Sequence, residues 1–453
     1  MQLPRLRIAL RFSQLVTSAA VLIEFFRAAL ANRSVFGLQM LFKILVQVNA
    51  SKGTWKIKQR DLTELKKLSL SHTGDISDYE NKCQEHWKFR KSRLQNSLII
   101  GDDFTKYIGH LGFGVATRIY MQIAQSASIP KTLILYSQSS NQHLLEKYFG
   151  KYFPILQFSE PAYELLNLTD SVRFEKPAYI YTEKQALETT KIHSSFADYV
   201  YEYQTSTGQK FPGIFTLESD DIRFRHSLLR KFGFDEQQSF VVVHLKQSNL
   251  TSFRGVESKS YIPTIEYMLD NDKVVFYLGE SDELPEYFSG RKNFFDITKW
   301  NDRTPRSDLV FLASCELAVV TTSGPHTIPG LFGVPTLWTN AVGLSRYLFF
   351  PQCTFLPKLF IKNDEIVSVK DMVNEPQTFF VDDIQPHRVL MQERNIKLLD
   401  NKSEDILRAF QELEFNKYFP TYSHDTEILE SILGRRTSVL SNRFAENYTD
   451  WLK

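Results

Sequence analysis

The chain has 453 residues, 43% of them hydrophobic and 13% aromatic, which is too long for one ordinary domain and too apolar for a disordered chain. Its 54 Lys and Arg are answered by 52 Asp and Glu, for a formal net charge of +2. The basic residues are spread along the chain, which argues against a nucleic-acid binder. Three cysteines, Cys83, Cys315 and Cys353, show no CxxC or metal-ligand spacing, as expected of reduced thiols in a cytoplasmic protein. Cys315 sits in an apolar run, where packing explains it.

The first fifty residues set Arg5, Arg7, Arg11, Arg27, Arg33 and Lys43 against the single acid Glu24. The uncharged stretch Phe12 to Ile23 is too short to span a bilayer. Three readings stay open. One is an amphipathic helix on an anionic membrane surface, at the inner membrane face of the cytoplasm. The others are a helical pair packed on the body, and a signal sequence cleaved near Ala29-Leu30-Ala31, whose apolar core Glu24 and Arg27 interrupt. Residues 51–95 are charged and helix-compatible, so 1–95 read as a basic helical extension and connector.

Beyond it, "SLIIG" (97–101) reads as a buried strand, 115–127 as a helix, "KTLILYS" as a second strand and "NQHLLEKYFGKYF" as a second helix, the opening of a parallel β-α-β unit. The aromatic stretch 199–215, broken by Gly208, Pro212 and Gly213, ends a first domain at 96–235. From Ser239 the alternation is regular. "SFVVVHLK" is the continuous apolar run of a strand covered on both faces, and "SKSYIPTIEYMLDND" is a helix with Pro263 in its first turn. "KVVFYLG" and "NFFDIT" are strands, and "SDLVFLASC" is a helix starting at Ser307 or Asp308. "LAVVTTSG", "HTIPGLFG" and "VPTLWTN" follow as strand, short helix and strand. A second, doubly wound domain is thus expected at 236–385, with C-terminal helices over 386–453, "EDILRAFQELEF" being amphipathic. The expected class is α/β, with two Rossmann-like domains in tandem.

Ligands bind at the carboxyl ends of strands in open parallel sheets. In the second domain those ends deliver His244 and Lys246 with Arg254 in the following loop, then Gly279 and Glu280, then Asp296. The fourth delivers Thr321, Thr322, Ser323, Gly324, Pro325, His326 and Thr327. A helix beginning near His326 would offer unpaired amides to an anion, and Gly324 removes a side chain from the approach. Lys246 and Arg254 would add charge, making a diphosphate cradle. A tight capped turn is the alternative there, a packed core histidine the alternative for His244, and solvated or capping acids the alternatives for Glu280 and Asp296. Asp270-Asn271-Asp272 has the letters of a metal site but falls between a helix and a strand, where such residues make turns; no required metal is expected. No phosphate-binding Gly-x-x-x-x-Gly-Lys loop or Gly-x-Gly-x-x-Gly follows a strand.

The runs "VVVHLKQSNL", "FRGVESKSYIPTIEYMLDNDKVVFYLGE" and "SDLVFLASCELAVVTTSGPHTIPGLFGVPTLWTN" resemble a family of bacterial glycosyltransferases associated with surface-polysaccharide and protein-glycosylation loci, and more distantly the protein O-fucosyltransferases. "IGHLGFGVATRIYM" (108–121) resembles the place where that family carries a Gly-His pair. The resemblance implies a two-domain GT-B fold, with the nucleotide-sugar donor held by the C-terminal domain and a glycan, lipid-linked or protein acceptor. The family has an arginine where this chain has Lys246, which keeps the charge and loses the two-pronged fork. His110, in its glycine-rich loop, is the expected general base toward an acceptor hydroxyl, with Asp103 or Asp102 as alternatives. A nucleotide-sugar epimerase or hydrolase, or a non-catalytic sugar-nucleotide binder, uses the same donor residues.

Overall fold

The computed structural model describes residues 49–51, 54–56, 97–101, 105–106, 108, 131–136, 139–153, 155–157, 174–175, 201–209, 211–246, 253–279, 283–342, 352–379, 389, 391–416, 421–434 and 437–453. The chain divides into two compact units, Met1–Tyr107 with Gln125–Pro177, and Ile108–Ala124 with Ala178–Lys453.

The first unit carries a six-stranded sheet among its described residues, built from β1 (Asn49–Ser51), β2 (Thr54–Lys56), β3 (Ser97–Ile100), β4 (Lys131–Tyr136), β5 (Ile155–Gln157) and β6 (Phe174–Glu175) in the order β1-β2-β5-β4-β3-β6. All neighbours are parallel except β1 and β2, which form an antiparallel pair. That pair corrects the helical reading of the connector at 54–56, where the β-favouring Thr54 and Trp55 prevail over helix-compatible charge. The loops after β3 and β4 are tied together, Ser139 Oγ donating to the Thr105 carbonyl at 2.6 Å and Asn141 Nδ2 to the same oxygen at 3.0 Å.

The second unit holds a seven-stranded sheet, every described pairing parallel. Its strands are β7 (Val241–His244), β8 (Val275–Tyr277), β9 (Phe294–Asp296), β10 (Leu317–Thr321), β11 (Thr336–Ala341), β12 (Cys353–Pro357) and, far along the chain, β16 (Val439–Leu440). The order is β16-β12-β11-β10-β7-β8-β9. β7, β8, β10, β11 and β12 are buried at every position, as their unbroken apolar runs require. One face packs an aromatic cluster around Phe276, with Phe311, Phe240 and Phe232 rings 4.7, 5.1 and 5.2 Å away. A smaller antiparallel sheet joins β13 (Leu359–Lys362), β14 (Glu365–Ile366) and β15 (Ile396–Leu399) in the order β14-β13-β15. Asn363 and Asp364, both at positive φ, make the β13–β14 turn.

Three boundaries differ from the sequence reading. The region 386–453 carries β15 and β16 as well as helices such as Ser403–Phe415. Both strands are short, and each finds its partner far away in sequence. Helix Ser219–Lys231, placed before the boundary at 235, belongs to the second unit: buried Asp221 accepts from Arg306 Nε at 2.8 Å, on helix Pro305–Ser314. That last helix starts two residues before Ser307, because Thr304 is its N-cap and exchanges hydrogen bonds with Ser307 in a capping box.

The segment 211–215 docks on the helix Thr327–Leu331 and the turn after it. Ile214 and Phe215 both donate their amides to the Leu331 carbonyl, at 2.8 and 2.9 Å. Gly213 (φ +92) and Gly333 (φ +68) meet there, and a Cβ on Gly213 would stand 2.5 Å from the Gly333 nitrogen. Gly434 also has a positive φ but open space around it. Gly213→Ala is therefore expected to cost about 2 kcal/mol or more, and Gly434→Ala only about 1 kcal/mol. Denaturant titration of the two variants beside the parent checks the difference.

Candidate functional site

With all strands parallel, every carboxyl end of the seven-stranded sheet lies on one edge. From β7 the chain runs outward through β8 to β9, then returns to the other side of β7 as β10 and continues outward through β11 and β12. The loops leaving β7 and β10 therefore part in opposite directions. The crevice between them is the place where open α/β sheets take ligands.

His244 and Lys246 stand on one wall. His244 ends β7 in register with Val320 of β10 and is buried. Its imidazole is pushed down to about 4, first by burial, then by the positive charges of Arg303 and Lys246, against the opposing effect of its own backbone hydrogen bond. It is neutral at pH 7 and works as a hydrogen-bonding group. The Lys246 amide donates to Thr321 Oγ1 at 2.9 Å, which joins the two walls at their base and leaves the half-buried lysine side chain at the rim. Arg254 follows on the same loop, half-buried.

The other wall is the turn Thr322 to Thr327. Ser323 Oγ lies 3.4 Å from His244 Nδ1, bringing together two residues distant in the chain. Gly324 and Pro325 are half-buried, the two most open positions of the turn. His326 is not open to a ligand: its side chain is buried, its ring stacks on Trp338 at 4.9 Å, and its Nδ1 lies 3.2 Å from the Ser323 amide nitrogen. Thr327 is fully buried, with its hydroxyl bonded to the Gly324 carbonyl at 3.0 Å. The helix that follows, Thr327–Leu331, has five residues. The amides of Thr327 and Ile328 already bond back to Gly324 and Pro325. The expected array of unpaired helix amides is thus reduced to a braced turn, because two prolines and a short helix leave little dipole.

The remaining strand ends are partly engaged. Asp296 Oδ1 accepts from the amide of Thr298 at 2.9 Å and contacts its hydroxyl, an Asx turn. Gly279 is buried, and a Cβ there would overlap the Tyr277 phenol, so ring packing by itself demands the glycine. Asp270-Asn271-Asp272 forms the turn before β8, with Asp272 at φ 58 and Asp270 paired to Arg291. Among the described residues no group of three His, Cys, Asp or Glu is placed to hold a metal. Glu280, His110, Asp102 and Asp103 lie outside the described residues, as does 1–48.

Several edge residues escaped the sequence reading. Arg303 binds both oxygens of Asp308 through Nε, at 2.9 and 3.1 Å, and donates from Nη2 to the Leu278 carbonyl just past β8. Asn340, at φ 52 and fully buried, bulges β11 and exchanges two bonds with Asn401. Each backbone amide donates to the other's side-chain oxygen, at 2.6 and 2.7 Å. Asn340 Nδ2 also donates to the Tyr261 hydroxyl at 2.8 Å, and Asn401 Nδ2 to the Pro357 carbonyl at 2.8 Å. Burial pushes the Tyr261 phenol well up, so it stays protonated. Next to Asn401, Asp400 pairs with buried Lys358 at 2.7 Å. A left-handed asparagine after a strand is a visible sequence signal; the lysine's partners are not.

No family model matches the sequence, and no curated protein matches it. Among solved structures, the chain is similar to the glycosyl transferase family 9 protein of Veillonella parvula, at 12% identity and a TM-score of 0.40 over 71% of this chain and 97% of that one. It is similar to the E. coli ADP-heptose lipopolysaccharide heptosyltransferase II, at 12% identity and a TM-score of 0.37 over 59% and 91%. E. coli heptosyltransferase WaaC with ADP-2-deoxy-2-fluoro heptose is similar at 8% identity and a TM-score of 0.32 over 62% and 99%.

Because the folded-state pKa of His244 lies below its unfolded value near 6.5, the unfolded chain binds the extra proton first. Stability is therefore expected to fall as pH drops from about 6.5 to 4, by on the order of 3 kcal/mol at the lower end. His244→Gln should flatten that part of the curve, read by denaturant unfolding at stepped pH.

Proposed function

We propose that this protein is a glycosyltransferase of the GT-B type, moving a sugar from a nucleotide-sugar donor to the hydroxyl of a glycan, lipid-linked or protein acceptor. One observation carries the reading: the switch-point crevice of the seven-stranded sheet joins a strand-end histidine and a rim lysine to a small-residue turn, with Ser323 Oγ 3.4 Å from His244. The sequence resemblance over these same residues supports it.

In this reading the donor diphosphate lies against Ser323, Gly324 and Pro325, with Lys246 and Arg254 supplying positive charge and neutral His244 a hydrogen bond. As the bond from the sugar carbon to the diphosphate oxygen breaks, negative charge grows on the leaving diphosphate. Cations and hydrogen-bond donors already in place stabilise that charge more than they stabilise the bound donor, which lowers the barrier. The acceptor oxygen forms the new bond, and its proton passes to His110, or to Asp103, the base assignments carried over from the sequence. Glu280 and Asp296 serve the donor's hydroxyls, and Gly279 its close approach. No metal takes part in this scheme. Residues 1–50, basic and bulky-apolar, hold the enzyme peripherally at the inner membrane face, near an envelope acceptor. No helix among the described residues is long and apolar enough to cross a membrane.

A thermal-shift panel of ADP-, UDP-, GDP-, CMP- and dTDP-sugars tests the donor site. One donor at a hundred times its dissociation constant should stabilise the protein by about 2.7 kcal/mol, and Ser323→Trp should abolish the shift. No shift with any donor would reject the reading. Product analysis with and without acceptor then separates transfer from epimerisation or hydrolysis, and His110→Ala should lower transfer by about 100-fold or more while leaving donor binding in place.

A further inference from the structure

The wall of the crevice that follows β7 is a loop with a closed neck. The chain leaves β7 at Lys246 and returns at Val256, whose amide donates to the Lys246 carbonyl at 3.0 Å. Arg254 sits on the returning limb, immediately before Gly255. Among the described contacts, the side chains of Lys358 and Asp400 hold that limb from outside. Lys358, which follows β12, is 3% exposed, and its Nζ donates to the Gly255 carbonyl at 2.6 Å. The same Nζ pairs with Asp400 Oδ1 at 2.7 Å, and Asp400 Oδ2 accepts from the Glu257 amide at 3.0 Å. One ion pair thus grips the limb on both sides of Val256.

Placing a lysine ammonium in so dry a site is costly, and an apolar pair of similar volume would often serve stability as well or better. What an apolar pair could not do is bond the Gly255 carbonyl and the Glu257 amide, both of which belong to a loop rather than to the sheet. The charge is therefore spent on fixing a loop, and the loop it fixes forms one side of the switch-point crevice. A planar guanidinium that must meet the oxygens of a diphosphate loses much of its effect when its backbone shifts by about 1 Å.

We propose that Lys358, with Asp400, is a positioning residue of the donor site: it holds the 254–257 limb so that Arg254 is presented to the diphosphate. The proposal rests on the donor reading given above and deepens it. The test is a double-mutant cycle on the full chain, measuring by calorimetry the dissociation constants of ADP, UDP, GDP and dTDP and following the one the parent binds most tightly. Lys358→Met should weaken that nucleoside diphosphate by about tenfold, and Asp400→Asn by about threefold. In an Arg254→Ala background each substitution should change affinity by less than about twofold, since the group it positions is gone. A purely structural role predicts the same loss in both backgrounds, and that result overturns the proposal, as does parental affinity in the Lys358 and Asp400 variants. Should Lys358→Met not fold, the Asp400→Asn cycle decides by the same criteria. If the parent binds none of the four nucleotides, this proposal falls, and the sugar-nucleotide panel above decides separately whether the donor reading falls with it. Retained parental binding with no coupling removes the proposal alone.

Discussion

The carboxyl edge of the large sheet depends on a pair of asparagines that hold one another. Asn340 stands in the left-handed region with no exposed surface, a conformation that costs an ordinary residue about 1–2 kcal/mol. The cost is offset because both backbone amides and both side-chain oxygens of the pair are satisfied in one exchange with Asn401. From that exchange follow the bulge at the end of β11, the hydrogen bond that fixes Tyr261, and the place of Asp400 one residue upstream of the lock. Asp400 in turn brings Lys358 to the loop after β7. The edge is thus organised by polar groups whose partners come from β11, β12 and the segment after β15.

That arrangement divides the edge into a saturated part and an open part. On the β11–β12 side Asn340, Asn401, Tyr261, Lys358 and Asp400 all bond one another or the backbone. At the β7–β10 crevice the groups differ in kind: a histidine kept neutral by burial and by nearby cations, a rim lysine, and a turn whose two central residues reach the surface. Arg303 is intermediate, since it adds to the positive field at His244 while Asp308 holds it in place. An anion entering the crevice would meet charge that is already oriented, which is the condition for electrostatic stabilisation without reorganisation.

Much of this frame is legible in the sequence. A strand such as Val241–His244, covered on both faces, has to be continuously apolar, and a polar residue ending the run marks the carboxyl edge; His244, Asp296 and Thr321 all declared themselves in that way. What was not legible depended on partners far away in sequence. Nothing in the letters around Lys358 announces Gly255 or Asp400, and β15 and β16 are too short to show a period. Local chemistry misled in two places. Ser307 looked like a helix start because it does belong to the cap, but as the third residue of a box begun by Thr304. His326 looked like a ligand beside a small-residue turn, yet its ring is used on Trp338 to brace that turn.

The outermost strand adds a matter of timing. β16 completes the sheet by pairing Val439 and Leu440 with Thr354 and Phe355, across a long intervening stretch that folds into its own small sheet and helices. Until those two residues arrive, β12 presents an open edge of unpaired backbone groups, a template for pairing with another chain. Non-local closure of this kind is slow, because the loop entropy is lost before the contact is gained. During synthesis the large sheet would therefore form its central strands while the β12 flank stays adhesive, and Val439–Leu440 act as the cover of that flank.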